Sequence, residues 1–159
     1  MSMNEIRRKD RAIINMWEME EILEKSEYGI LSTVNEDGTP YAVPVSYVYY
    51  KGKIYFHCAK DVGHKVENIK NNNSICFTVV GKTQVLVSQF STIYESVIAS
   101  GRAENVESEE LKAEVFKKIL EKYCQAYIDE GLMYMERAGD KASVYEIDIE
   151  SMTGKARRK

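Results

Sequence analysis

The residues at positions 41–50 constrain this chain more than any others, because they alternate without interruption. Tyr41, Val43, Val45, Tyr47 and Tyr49 fall on one face, with Ala42, Pro44, Ser46, Val48 and Tyr50 on the other. That is the period-two pattern of a β-strand. Lys51-Gly52 then supplies hairpin chemistry leading into Ile54-Tyr55-Phe56-His57. A hairpin needs further strands to bury its apolar face, and they are present. Residues 29–34, 74–80, 84–87, 94–106 and 143–149 all read as strands, and Asn35-Glu36-Asp37-Gly38 is a turn after the first. Three helical patterns accompany them. One covers residues 18–25, with Met19, Ile22 and Leu23 on one face, and a second covers 63–71. The third starts at an N-cap, Ser108, with Glu109 and Glu110 in its first turn. Its apolar stripe is Leu111, Val115, Phe116, Ile119, Leu120, Tyr123 and Tyr127. The expected fold is mainly β: one domain over residues 1–159, a closed or nearly closed antiparallel barrel with peripheral helices.

Composition excludes several functions. Lys and Arg number 22 against 25 Asp and Glu, a net charge of -3. Nucleic acid and anionic membranes are held chiefly by surplus cations, so neither partner is expected. No apolar run approaches the roughly 20 residues that span a bilayer. Cys58, Cys76 and Cys124 are odd in number and share no metal-ligand spacing, which suits reduced thiols in the cytoplasm. His57, Cys58 and His64 would make a zinc site of mixed direction, so no metal is expected. Dinucleotide, phosphate-loop and nucleophile-elbow signatures are missing. The informative stretch is Phe56-His57-Cys58-Ala59-Lys60-Asp61-Val62-Gly63-His64-Lys65, where a strand passes through a cationic loop and a glycine into a helix. Free backbone N–H groups, a positive helix end and two lysines are what a phosphate requires. Pro44 cannot donate to a ladder, so it marks a sheet edge or a bulge. The basic tail Lys155, Arg157, Arg158 and Lys159 is expected to fray.

Read together, these segments resemble a known family. Residues 37–49 (Asp37-Gly38-Thr39-Pro40 through Tyr49), then Gly52 to Ala59, and Gly63-His64-Lys65 are similar to the pyridoxamine 5'-phosphate oxidase-like FMN-binding split barrels. The likeness is strongest to their nitroimidazole-resistance (Nim-type) flavoprotein branch. Tyr94-Glu95-Ser96-Val97-Ile98, Gly101-Arg102-Ala103, Met152-Thr153-Gly154-Lys155 and Arg7-Arg8-Lys9-Asp10-Arg11 support it, so it covers nearly the whole chain. The resemblance implies a six-stranded antiparallel split barrel that works as a homodimer, with FMN as cofactor in clefts between subunits.

Carried over by position, Lys60, Gly63, His64 and Lys65 would hold the phosphate or lie beside the flavin, with His57 ending the preceding strand. Val43, Pro44, Val45 and Ser46 would flank the isoalloxazine ring, Ser32 and Thr33 would lie on the neighbouring strand, and Ser96 would approach the cofactor. The loop between Lys60 and Gly63 is one residue longer than the family pattern, which is expected to shift the phosphate contacts. Residues 82–92 are expected to shape the substrate cleft. The implied activity is that of an FMN-dependent oxidoreductase: reduced nicotinamide or another donor supplies electrons, and a small nitroaromatic or quinone accepts them. His64, then His57, would act at the ring. The alternatives are a flavin- or haem-binding module without turnover, and a pyridoxamine-phosphate oxidase proper.

Overall fold

The computed structural model describes residues 5–159. Its elements run β1 (Ala12–Ile13), α1 (Met16–Lys25), β2 (Gly29–Val34), β3 (Pro40–Val45), β4 (Val48–Tyr50), β5 (Lys53–Ala59), α2 (His64–Asn71), β6 (Ser74–Leu86), β7 (Ser91–Asn105), α3 (Glu109–Tyr123), α4 (Ile128–Ala138) and β8 (Ala142–Arg157). Every pairing is antiparallel, and the order across the sheet is β3-β2-β6-β7-β8-β5-β4, with β1 alongside β8. Among the described residues there are eight strands rather than six, two of them only two and three residues long. The architecture is the expected one, a β-barrel with peripheral helices. No helix among the described residues is long and apolar enough to cross a membrane.

β3 and β4 are the two ends of the sheet, yet only Ser46 and Tyr47 separate them in sequence. The sheet therefore curls until its ends meet at a corner where they do not pair, a barrel split along one seam. This corrects the single strand expected over 41–50. Alternation holds as far as Ser46, with Tyr41, Val43 and Val45 half-buried and Ala42, Pro44 and Ser46 exposed. Then Tyr47 and Val48 are both buried. The physical reason lies in the Tyr47 backbone, whose polar groups are taken by a helix instead of a ladder. Its N–H donates to the Tyr123 hydroxyl at 3.0 Å, and its carbonyl accepts from Lys122 Nζ at 3.0 Å. The Tyr47 hydroxyl donates to the Leu23 carbonyl of α1.

The barrel interior is lined by Leu31, Phe56, Phe77, Val79, Val97 and Ala99, all at most 1% exposed. A Cβ on Gly29 would sit 2.2 Å from Phe77 Cε1, so the ring packs where only glycine leaves room. A second cluster, Val48, Tyr55, Val115, Phe116 and Val144, seats α3 on the outside of β4 and β5.

Other expectations need correction. Residues 84–87 are no separate strand: β6 continues through an irregularity between Val80 and Thr83 to Leu86. β8 extends far past residue 149. Ser100 pairs with Ser151 but Gly101 with Ile149, so Glu150 is an extra residue, after which the ladder resumes. Lys155 and Arg157 therefore belong to a strand, paired with Ser96 and Tyr94, and do not fray. Tyr127 lies beyond the end of α3 and is 67% exposed. The helix α4 was not expected. Its Gly131 reads as a breaker, but a Cβ there would lie 2.5 Å from Leu120 Cδ2, so the glycine is a close-packing point between α3 and α4.

Candidate cofactor site

The junction from β5 to α2 is compact and cationic. The Lys60 N–H bonds the Lys141 carbonyl at 3.0 Å, and Asp61 takes a left-handed φ of 55°. Its carboxylate lies 3.7 Å from Lys70. Gly63 opens α2 with φ 118°, and a Cβ there would meet nothing within 4 Å. No side chain caps the helix, so its first N–H groups keep their donors free. Lys60 is exposed and Lys65 half-buried, and neither has a carboxylate within ion-pair distance among the described residues. His57 and Cys58 face opposite sides of β5: Cys58 is buried in the core, whereas His57 turns its ring to the edge of Phe116, 6.0 Å between centroids. Burial, then the charge of Lys65, lowers the His57 pKa below the ordinary imidazole value.

His64 lies at a different place, the mouth of the barrel where β2 turns into β3. Its ring stacks on Tyr41, 4.2 Å between centroids and 7° from parallel, and its Nε2 is 2.6 Å from Asn35 Oδ1. Asn68 Nδ2 donates to the same oxygen at 2.9 Å and to Thr33 Oγ1 at 3.0 Å. Two donors converge on Asn35 Oδ1 when Nε2 carries a proton. Asn35, Tyr41 and Asn68 were not picked out from sequence. Asn68 carried a signal: asparagine is a poor helix former, and this one is on the buried side of α2.

The remaining expected residues lie on β2, β3 and β7. Pro44 pairs with Ile30 without any shift in register, and β3 is terminal in the sheet, so Pro44 marks an edge and not a bulge. Ser32, Pro44, Ser46 and Ser96 point outward, whereas Val43 and Val45 pack against the core. Thr33 is 2% exposed and its hydroxyl is taken by Asn68, which leaves only its backbone for any ligand. The outward face is in register across five strands. One row is Ala42, Ser32, Cys76, Ser100 and Ser151; the next is Pro44, Ile30, Thr78, Ile98 and Thr153. Neither row contains a charge. Past the extra residue in β8 the surface changes character, with Arg102 bonded to Glu150 at 2.9 Å and Lys53 to Glu146 at 2.6 Å. The structure thus gathers Lys60, Gly63 and Lys65 with His57, turns the His64 side chain to Tyr41 and Asn35 at the barrel mouth, and spreads Ser32, Ser96 and Pro44 over the neutral outward face of the sheet.

A known family's sequence pattern, that of pyridoxamine 5'-phosphate oxidase, matches residues 17–156. The chain belongs to that family. Its fold agrees with several solved structures. A candidate 5-nitroimidazole antibiotic resistance protein from Bacteroides thetaiotaomicron superposes with a TM-score of 0.73 at 23% identity, over 91% of this chain and 85% of that one. An FAD-binding protein from Mesorhizobium loti gives 0.69 at 21% identity, covering 92% and 97%. The flavocytochrome Anf3 from Azotobacter vinelandii gives 0.72 at 20%, covering 98% and 73%. No curated protein matches the sequence.

Proposed function

We propose that this member of the pyridoxamine 5'-phosphate oxidase family binds FMN, works as a homodimer, and passes electrons from reduced nicotinamide or another donor to a small nitroaromatic or quinone. One observation carries the reading: the cationic strand-to-helix junction meets the edge strand of an uncharged outward face, where His64 at the start of α2 stacks on Tyr41 of β3. A flavin nucleotide joins a planar tricycle to a dianionic phosphate, and the two surfaces match those two parts. Ala42 and Pro44 keep the edge strand low, so a ring can approach its backbone. Lys60, Lys65 and the uncapped amides of α2 suit the phosphate, and the open space over Gly63 leaves room for it.

When bound, the flavin supplies the redox chemistry, so few reactive side chains are needed. The chain's own residues bind and orient. Lys60 and Lys65 offset the phosphate charge as point cations. His57, its pKa lowered by burial, favours its neutral form and offers a hydrogen bond rather than a stored proton. His64 is fixed by Asn35 and Tyr41, so its Nδ1 holds one orientation. Area supports the dimer: the neutral face runs from β3 to β8, wider than a single ring covers, and Ile98 and Val80 on it are 44% and 55% exposed. The nitroimidazole-resistance relative supports the nitroaromatic acceptor, and the FAD-binding and flavocytochrome relatives support flavin.

The test is the absorbance spectrum of the purified protein, followed by mass analysis of the ligand released on denaturation. Flavin bands and released FMN are expected, and Lys60→Gln with Lys65→Gln should weaken FMN binding at least tenfold. A colourless protein that takes up no added FMN overturns the reading, and a Soret band would assign haem instead.

A further inference from the structure

Although the chain carries a net charge of -3, Arg8, Arg11, Lys155 and Arg157 line a single groove of about 220 Å³. Strand pairing builds it: Ala12 lies opposite Lys155 and Ile13 opposite Gly154, which brings the turn before β1 against the end of β8. One carboxylate answers these cations. Asp10 accepts from Arg8 Nε at 2.8 Å and Nη2 at 2.6 Å, and lies 3.3 Å from Arg11 Nε. Neither Lys155 nor Arg157 has an Asp or Glu side chain within ion-pair distance among the described residues. Arg157 Nε donates to the Lys159 carbonyl at 3.0 Å, and Lys155 Nζ stands 5.8 Å from the centre of the Tyr94 ring. Four cationic side chains against one acidic side chain is an unfavourable gathering unless a further anion shares it. Ser91, Thr92 and Tyr94 add hydroxyls to the same groove. Arginine forks beside hydroxyl groups match the several oxygens of a phosphate better than a single carboxylate.

We propose that this groove binds a phosphate group of a nucleotide. Its site is distinct from the β5–α2 junction, being built on β1, β7 and β8, and it stands whether or not the flavin reading does. It continues the neutral outward face: Ser96 lies opposite Lys155 and Tyr94 opposite Arg157, a step of two residues or about 7 Å along the strands. A ligand lying on that face would carry its phosphate into the groove. Two sources share this chemistry, the phosphate of a nucleotide held on the face and the phosphate of a second, dissociable one. A nucleic acid fits poorly, because the rest of the chain is acidic and would repel its neighbouring phosphates.

The experiment is calorimetric titration of the full chain with inorganic pyrophosphate in a Lys60→Gln, Lys65→Gln background, which removes the lysines of the other cationic site. Binding tighter than millimolar is expected, weakening at least tenfold between about 50 and 300 mM salt. Adding Arg11→Gln and Arg157→Gln should weaken it at least tenfold. If that variant loses its circular dichroism, Lys155→Gln alone should still weaken binding at least threefold, since it breaks no ion pair. Absence of binding in the background protein, or affinity unchanged by the groove substitutions in folded protein, overturns the proposal. With the parent chain saturated with FMN, pyrophosphate that still binds in the groove assigns it to a second ligand; pyrophosphate that no longer binds there assigns the groove to the flavin's own phosphate and removes that phosphate from Lys60 and Lys65.

Discussion

Replacing Tyr123 by Phe tests the account of the barrel corner, because it removes one oxygen and almost no volume. That hydroxyl accepts the Tyr47 N–H at 3.0 Å, lies 2.9 Å from the Tyr47 carbonyl, and donates to the Glu27 carbonyl. Tyr47 is 0% exposed, so its N–H is left without a protein acceptor. An orphaned buried donor costs about 1–3 kcal/mol. Lys122 still serves the Tyr47 carbonyl, so the N–H dominates and about 2 kcal/mol is expected. With a urea dependence of about 2 kcal/mol per molar, the unfolding midpoint should fall by about 1 M with its slope unchanged. Protein concentration must be held fixed, since any self-association makes the midpoint concentration-dependent. Tyr134→Phe, at a position 67% exposed, is the control and should stay within about 0.5 kcal/mol. Lys122→Met shares the Tyr47 carbonyl, so combining it with Tyr123→Phe should not be additive, differing from the sum by about 0.5 kcal/mol or more. A Tyr123→Phe midpoint within about 0.2 M of the parent would refute the claim that α3 takes over the backbone of the corner.

Three further outcomes follow from the same geometry. Gly29→Ala puts a Cβ 2.2 Å from the Phe77 ring, and overpacking of this kind costs about 1–3 kcal/mol, readable as a lower thermal midpoint. Stability should rise with pH above about 8, because burial holds the Lys122 amine near 8 while the unfolded chain keeps that proton up to 10.5. The rise ends near 10, where Tyr47, Tyr49 and Tyr55 ionise in the unfolded chain but are held neutral by burial in the folded one, Tyr49 up to about 12. Urea midpoints across this range should show a maximum, and Lys122→Met should flatten its rising limb. Asn68→Ala leaves the Thr33 hydroxyl without its partner and should cost about 1–3 kcal/mol. It also loosens Asn35 beneath His64, so the His64 proton resonances should shift more than those of His57.

Strand positions were legible wherever a pattern was local. Residues 29–34 match β2 end to end, and the hairpin at Lys51-Gly52 has the positive φ values, 49° and 77°, that its turn requires. Ser108 caps α3 as read, accepting from Leu111 N at 3.2 Å. What alternation could not reveal was the corner inside 41–50, since the pattern there continues without a breaker. The bend at Tyr47 is imposed by Leu23 and Tyr123, residues 24 and 76 positions away. The end of β8 was hidden for a comparable reason. An extra residue at Glu150 shifts the period, and the lysine and arginines beyond look like a tail until β7 is seen to supply their partners.

The candidate site was legible in chemistry more than in placement. Lys60, Gly63 and Lys65 form a junction because a strand, a turn and a helix follow one another along the chain, and this local order is visible in sequence. Ser32 and Thr33 show the opposite case: neighbours in the chain, they face opposite sides of β2, one toward the open neutral sheet and the other sealed under Asn68. A list of residues cannot separate them, whereas the parity of a strand does so at once, given which side is the core. The cationic groove extends the argument. Arg8 with Arg11, and Lys155 with Arg157, are each an ordinary solvated cluster at one end of the chain. They become a site only because two residues of β1 pair with β8, so a contact of two residue pairs decides whether these charges act together.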